Sequence, residues 1–215
     1  MTRAIIFDLD GVIVDSEKIW EDVRRALFAD FAMPYPEDAT RAIMGMSSTE
    51  WSAYLRDRLG IPLSATAIDE RVVAGVAAAY EKRLPLFEGA VEAVQRIAAR
   101  VPVAIASSSN RSLIELVVAR AGLATTFTSI VSAEEVGRGK PAPDVYLRAA
   151  HLLGVTPSAC GAIEDSSNGI RSAHAAGMFV VAIPNADFPP TPDALALASR
   201  TVHSIAELEL ATVGL

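Results

Sequence analysis

Five short apolar runs, rich in β-branched residues, recur along the chain at residues 4–7, 101–106, 129–131, 161–163 and 179–183. Each is too short for a helix and lacks the alternation of a strand with one wet face, so each reads as a strand buried on both faces. Between the later runs lie segments with helical spacing, at 113–121, 144–153 and 169–176. Strands alternating with helices predict an α/β fold, a doubly wound parallel sheet covered on both sides.

The interval from residue 16 to 83 breaks this rhythm: it is rich in Ala, Arg, Glu, Trp and Leu at helical spacing and holds no convincing strand. It predicts an inserted α-helical cap domain. Residues 1–15 and 84–215 then form one discontinuous α/β catalytic core. Pro85, Phe87, Glu88 and Gly89 mark the return loop, followed by a helix over 90–100, and the Pro-rich stretch 188–192 reads as a surface loop.

Composition narrows the functions. With 215 residues, 51% of them hydrophobic, the chain can bury a full core. A net charge of −7 supplies no general field for nucleic acid or anionic membrane, so an anionic ligand needs a cation of its own inside a pocket. The single cysteine, Cys160, has no partner for an internal disulfide and sits between Ala159 and Gly161 as a small buried hydrophobe would. The apolar run before Asp8 is too short for a signal peptide, and the weakly polar stretch 72–80 falls well below the roughly 20 residues that span a bilayer. A soluble, cytoplasmic monomer is the expectation.

In an open parallel sheet, ligands bind beyond the carboxyl ends of the strands. The residues that follow the strands therefore converge: Asp8-Leu9-Asp10-Gly11-Val12 after the first, Ser107-Ser108-Ser109-Asn110 after the second, Glu164-Asp165-Ser166 after the fourth. Gly139-Lys140-Pro141 joins them from the loop before residue 144. Four carboxylates on one edge repel by roughly several kcal/mol each unless something cationic lies among them. Magnesium suits such oxygen ligands, because it takes one or two carboxylates, keeps waters and accepts a phosphate oxygen. Lys140 adds a fixed positive charge.

These four stretches, in this order and with Ala142-Pro143-Asp144 after the lysine, resemble the motifs of the haloacid dehalogenase-like superfamily over nearly the whole chain. The helical insertion after the first motif is similar to the small cap of the subgroup containing β-phosphoglucomutase and hexose-phosphate phosphatases. The resemblance implies that Asp8 attacks phosphorus and forms an aspartyl-phosphate, that Asp10 is acid and base, and that Ser107 and Lys140 hold the phosphoryl group. Asp8, the Asp10 carbonyl and Asp165, with Glu164 as ligand or as support behind the ligands, would bind Mg2+. Gly11 lets the chain turn sharply beside the phosphate. Ser108 and Asn110 either contact the substrate or cap the next helix. Trp20 either packs inside the cap or touches the substrate. His151, His174 and His203 lie away from the strand ends, as solvated or core histidines.

In β-phosphoglucomutase a cap histidine and an arginine help to hold a bisphosphorylated sugar; the positions resembling them here are Trp20 and Ser48. A cap lacking those groups grips a second phosphate less well. The expected activity is therefore hydrolysis of a small phosphate monoester, a sugar phosphate by resemblance, with a phosphosugar mutase as the alternative. Asp10 argues against carbon–halogen chemistry, since dehalogenases of the superfamily generally lack that carboxylate. A receiver-like or non-catalytic phosphate-binding module is the third reading, disfavoured by the cap and by an acidic motif on the first strand.

Overall fold

The computed structural model describes residues 2–215. Six parallel strands form one sheet in the order β3-β2-β1-β4-β5-β6: β1 Ala4–Phe7, β2 Val103–Ser107, β3 Ser129–Ser132, β4 Cys160–Glu164, β5 Phe179–Ala182 and β6 Arg200–Thr201. β1 is central, pairing Ile5 with Val103 on one side and Gly161 on the other. The strand order reverses at β1 and β4, which is the switch point where an open α/β sheet leaves a crevice.

Alternation along each strand divides the core into two layers. Ile5, Phe7, Val103 and Ile105 face α5 (Ala90–Ala98) and α6 (Arg111–Arg120), whose Val94, Ile97, Leu113 and Val117 are buried against them. Ala4, Ile6, Ala104, Ala106 and Ala162 face α7 (Asp144–Leu152) and α8 (Ser167–Ala175). The small residues of this second layer let helices that carry Tyr146, Ala149 and Ala173 pack closely on the sheet.

Between β1 and α5 the chain is helical: α1 Glu17–Asp30, α2 Ala39–Ile43, α3 Ser48–Asp57 and α4 Ala65–Lys82. Helix α4 buries Ile68, Val72, Val76 and Tyr80, one residue per turn along a single stripe, and packs on α1 and α3. The outgoing and returning connections run side by side: the Asp15 N–H donates to the Pro85 carbonyl at 2.8 Å and the Phe87 N–H to the Ile13 carbonyl at 3.1 Å.

Three local differences from the sequence reading have physical causes. β2 starts at Val103 rather than 101, because the Val101 N–H still bonds the Ile97 carbonyl at the end of α5. Helix α8 starts at Ser167, two residues early, because the Ser166 hydroxyl accepts the Gly169 N–H and caps it. The loop over 188–192 ends in a one-turn helix, α9 (Pro192–Leu195), which leads to β6; that strand is only two residues long and falls in no apolar run, so periodicity misses it.

Candidate active site

The crevice at the switch point is lined by Asp8, Asp10, Ser107, Ser108, Lys140 and Asp165 from the strand ends and by Glu17, Trp20, Arg24, Trp51 and the 43–46 loop from the cap. Residues up to about 160 positions apart in sequence thus meet where the topology requires.

Asp8 follows β1 directly and is 7% exposed. Its Oδ1 lies 2.9 Å from Lys140 Nζ in an ion pair and has no partner in hydrogen-bond geometry. Burial, opposed by Lys140 and reinforced by Glu164 and Asp10, pushes the Asp8 carboxyl up to about 8. Burial, then Glu164 and Asp8, raises Asp165 well above the usual carboxylate range. Burial alone would lower Lys140, yet Asp8 and Glu164 more than offset it and keep its ammonium firmly charged.

Glu164, fully buried, uses both oxygens on protein donors. Lys140 Nζ and the Tyr146 hydroxyl each approach Oε1 at 2.6 Å; the Asp165 N–H and Ser166 hydroxyl approach Oε2 at 3.2 and 3.3 Å. The loop carrying Lys140, whose bond to Pro141 is cis, is anchored from below by the Ser172 hydroxyl, which donates to the Ala142 carbonyl at 2.6 Å.

Asp10, the most open of the strand-end carboxylates, accepts from four side chains. Ser16 and Ser109 approach at 2.5 Å, Trp20 Nε1 at 3.2 Å and the Tyr80 hydroxyl at 3.4 Å. Two of the donors stand on α1 and α4, so the helical insertion contacts Asp10 directly. Glu17, one turn before Trp20, is pushed up to about 7 by burial first and by the Asp10 charge next, against the pull of Arg24.

Gly11 stands at φ +76°, and a Cβ there would lie 1.9 Å from Asp165 Oδ2. Gly169 meets the same limit from the other side, since a Cβ would fall 1.8 Å from Glu164 Oε2. Both glycines let carboxylates occupy space that any side chain would fill.

The donor set fits a divalent cation. Oxygens of Asp8, Glu164 and Asp165 lie within 4.8 Å of one another and all three residues are buried; Asp8 Oδ1 has no hydrogen bond, whereas both Glu164 oxygens are taken by protein donors, so Asp8 and Asp165 are the carboxylates a cation would use.

Ser107 is fully buried at the end of β2 with its hydroxyl accepting the Ser109 N–H at 3.0 Å. Ser108 lines the crevice but donates to the Gly45 carbonyl of the cap at 2.9 Å. Asn110 lies outside the crevice lining. Its amide donates to Glu134 at 2.8 Å and to Asp69 of α4 at 3.2 Å, bridging core and cap because the chain turns into α6 before the side chain can reach inward. Ser48 likewise faces Glu134, at 3.3 Å. Of the histidines, His151 and His174 are exposed on α7 and α8. His203 follows the end of the edge strand β6 and lies beside Gly11 and Asp15 in a separate cavity. The sequence reading missed Ser109, Tyr80, Tyr146 and Arg24. Ser109 had a signal, its place after β2; the others are single positions on helical stripes that look like core.

The arrangement has counterparts. The family model for haloacid dehalogenase-like hydrolases matches residues 2–177. The chain belongs to this family. Among haloacid dehalogenase-like relatives, Hexitol phosphatase B of Escherichia coli (strain K12) is 34% identical over 211 residues, covering 95% of this chain and 93% of that protein. The Phosphorylated carbohydrates phosphatase of Thermotoga maritima is 32% identical over 178 residues, 82% of each. The crystal structure of CbbY from Rhodobacter sphaeroides in complex with phosphate superposes with a TM-score of 0.87 at 28% identity, over 100% of both chains. No helix among the described residues is long and apolar enough to cross a membrane.

Proposed function

We propose that this haloacid dehalogenase-like hydrolase is a Mg2+-dependent phosphatase of small phosphate monoesters, sugar phosphates foremost, that works through an aspartyl-phosphate on Asp8. Its standing as a phosphoric monoester hydrolase follows from the family and from relatives that are sugar-phosphate phosphatases. The observation that carries the route is the Asp8–Lys140–Glu164 chain: a buried carboxylate at a strand end, held beside an ammonium whose own position is set by a second carboxylate.

In this reading the Asp8 carboxylate attacks phosphorus as the bond from phosphorus to the leaving oxygen breaks, and Asp10 gives its proton to that oxygen. Asp10 then takes a proton from water. The resulting hydroxide attacks phosphorus, the bond to Asp8 breaks, and phosphate leaves with the Asp8 carboxylate restored. Lys140 and Ser107 hold the phosphoryl oxygens throughout. Asp8, the Asp10 carbonyl and Asp165 would hold Mg2+, which would supply charge neutralisation for the transferring group. Glu164, with both oxygens occupied, acts by positioning Lys140 rather than as a ligand.

Trp20 seals the crevice by bonding Asp10, and the cap, covering residues 16–83, opens to admit substrate about hinges near Asp15 and Leu84. The protein acts as a cytoplasmic monomer. The test is phosphate release from p-nitrophenyl phosphate and a panel of hexose phosphates, with Mg2+ and with chelator. Release abolished by chelator and by Asp8→Asn, together with a phospho-enzyme that accumulates in Asp10→Asn, supports this route; full activity in Asp8→Asn overturns it. Interconversion of glucose 1-phosphate and glucose 6-phosphate primed by a bisphosphate, without net hydrolysis, would establish the mutase alternative instead.

A further inference from the structure

Arg24 is a buried cation that the proposed reaction does not use. It stands on α1 one turn beyond Trp20 and is 6% exposed, and its Nε has no hydrogen-bond partner. It takes part in no salt bridge among the described residues. Its guanidinium carbon sits 5.0 Å from the Trp20 ring centre and 5.4 Å from that of Trp51, and the two rings meet edge to face at 6.1 Å. Stacking engages the faces of the planar guanidinium and leaves its N–H edge available for an oxyanion. Burying a cation away from water without a hydrogen-bonded carboxylate is costly. The fold nevertheless places this one on the wall of the crevice that also holds Asp8 and Lys140.

We propose that Arg24 is the specificity-determining cation of the cap, receiving a second anionic oxygen group on the substrate, carboxylate or phosphoryl, while the transferring phosphoryl group sits between Asp8 and Lys140. The preferred esters are then small phosphate monoesters that carry a second oxyanion a few bonds away. Carboxylate and phosphate share the chemistry that matters, two oxygens able to meet two N–H groups of one guanidinium edge. Burial lowers the Arg24 guanidinium, against the Tyr35 hydroxyl and the charges of Glu17 and Asp10; the competing account is that Arg24 only serves those neighbours.

The turnover arm of the test rests on the phosphatase reading and the binding arm does not. Three probes share a three-carbon skeleton: glycerol 3-phosphate with a neutral tail, 3-phosphoglycerate with a carboxylate, and 1,3-propanediol bisphosphate with a second phosphoryl group. Binding of each to the Asp8→Asn chain with Mg2+ is followed by fluorescence of the two tryptophans, both of which touch Arg24. At least one anionic-tailed probe should bind about tenfold or more tighter than glycerol 3-phosphate, a margin in keeping with one charge-assisted contact. Which one does so identifies the group. Adding Arg24→Gln should shrink that margin to within about twofold, and the kcat/KM ratios of chains retaining Asp8 should follow.

Equal binding of all three probes, or an Arg24→Gln change that weakens all three by one factor, overturns the proposal in favour of the counter-ion account. If Arg24→Gln does not fold, Arg24→Lys decides: loss of most of the margin upholds the geometry of the fork, and an unchanged margin overturns it. Discrimination in binding with no phosphate release from any probe would sink the phosphatase reading while leaving the anion subsite standing.

Discussion

The crevice has one buried cation from the core and one from the cap, and they are held in opposite ways. Lys140 is pinned between two carboxylates, at 2.9 Å from Asp8 and 2.6 Å from Glu164, and is stacked within 5.2 Å of the Tyr146 ring. Arg24 is held by two indole faces and, among the described residues, its Nε has no hydrogen-bond partner. Charge that is neutralised inside the protein fixes a geometry but attracts little; charge left unpaired at a cavity wall attracts a ligand and weakens the fold. In the proposed reaction the core end of the site serves the transferring phosphoryl group and the cap end whatever distinguishes one ester from another.

Substitutions at the core end should have the larger effects. Asp8→Asn removes the proposed nucleophile, and phosphate release should fall by about six orders of magnitude, as in a hydrolase that loses its attacking group. Lys140→Ala leaves Asp8 and Glu164 buried and uncompensated, so it should cost about 3–5 kcal/mol of stability, read as a large drop in Tm or midpoint denaturant concentration. Asp165→Ala should raise the Mg2+ concentration giving half-maximal activity by at least about tenfold, with an unchanged titration removing Asp165 from the metal site.

At the cap end the effects should be smaller and partly of opposite sign. Trp20→Phe keeps a ring against Arg24 but loses the hydrogen bond to Asp10, and kcat should fall by an amount equivalent to about 1 kcal/mol. Arg24→Met replaces an unpaired buried cation by an apolar chain of similar length. Urea unfolding should find this variant no less stable than the parent, by contrast with Lys140→Ala; a loss of several kcal/mol would show that Arg24 is as firmly paired as Lys140 and dissolve the comparison.

Much of the core end was legible in advance, for a reason the register makes plain. Buried strands of a parallel sheet appear as continuous apolar runs, and where each run stops the chain has reached the crevice; Asp8, Ser107 and Asp165 each stand at such a point. Asn110 shows the limit of this logic. It follows the same strand as Ser107 but lies one turn later, where the backbone has already rotated into α6, and its amide meets Glu134 and Asp69 instead of the crevice. Glu164 shows another limit, because the order of residues left open whether this strand-end carboxylate is a ligand or a support, and only the fold shows that Tyr146, from the middle of α7, shares an oxygen of Glu164 with Lys140.

The amino-acid order by itself determined the positions of five of the six strands, the helical character of the stretch between the first two, and the order of the four polar motifs, since these depend on periodicity or on residues a few places apart; the phosphoryl chemistry was implied by the resemblance of those motifs to the haloacid dehalogenase-like superfamily. Tertiary structure alone decided which side chains face Asp10, why Gly169 must be a glycine, and that Arg24 stands unpaired over the crevice. Those facts depend on the angle at which the cap meets the core and on the rotation of each helix about its axis. Such quantities are set by packing between segments tens of residues apart, and no local pattern encodes them.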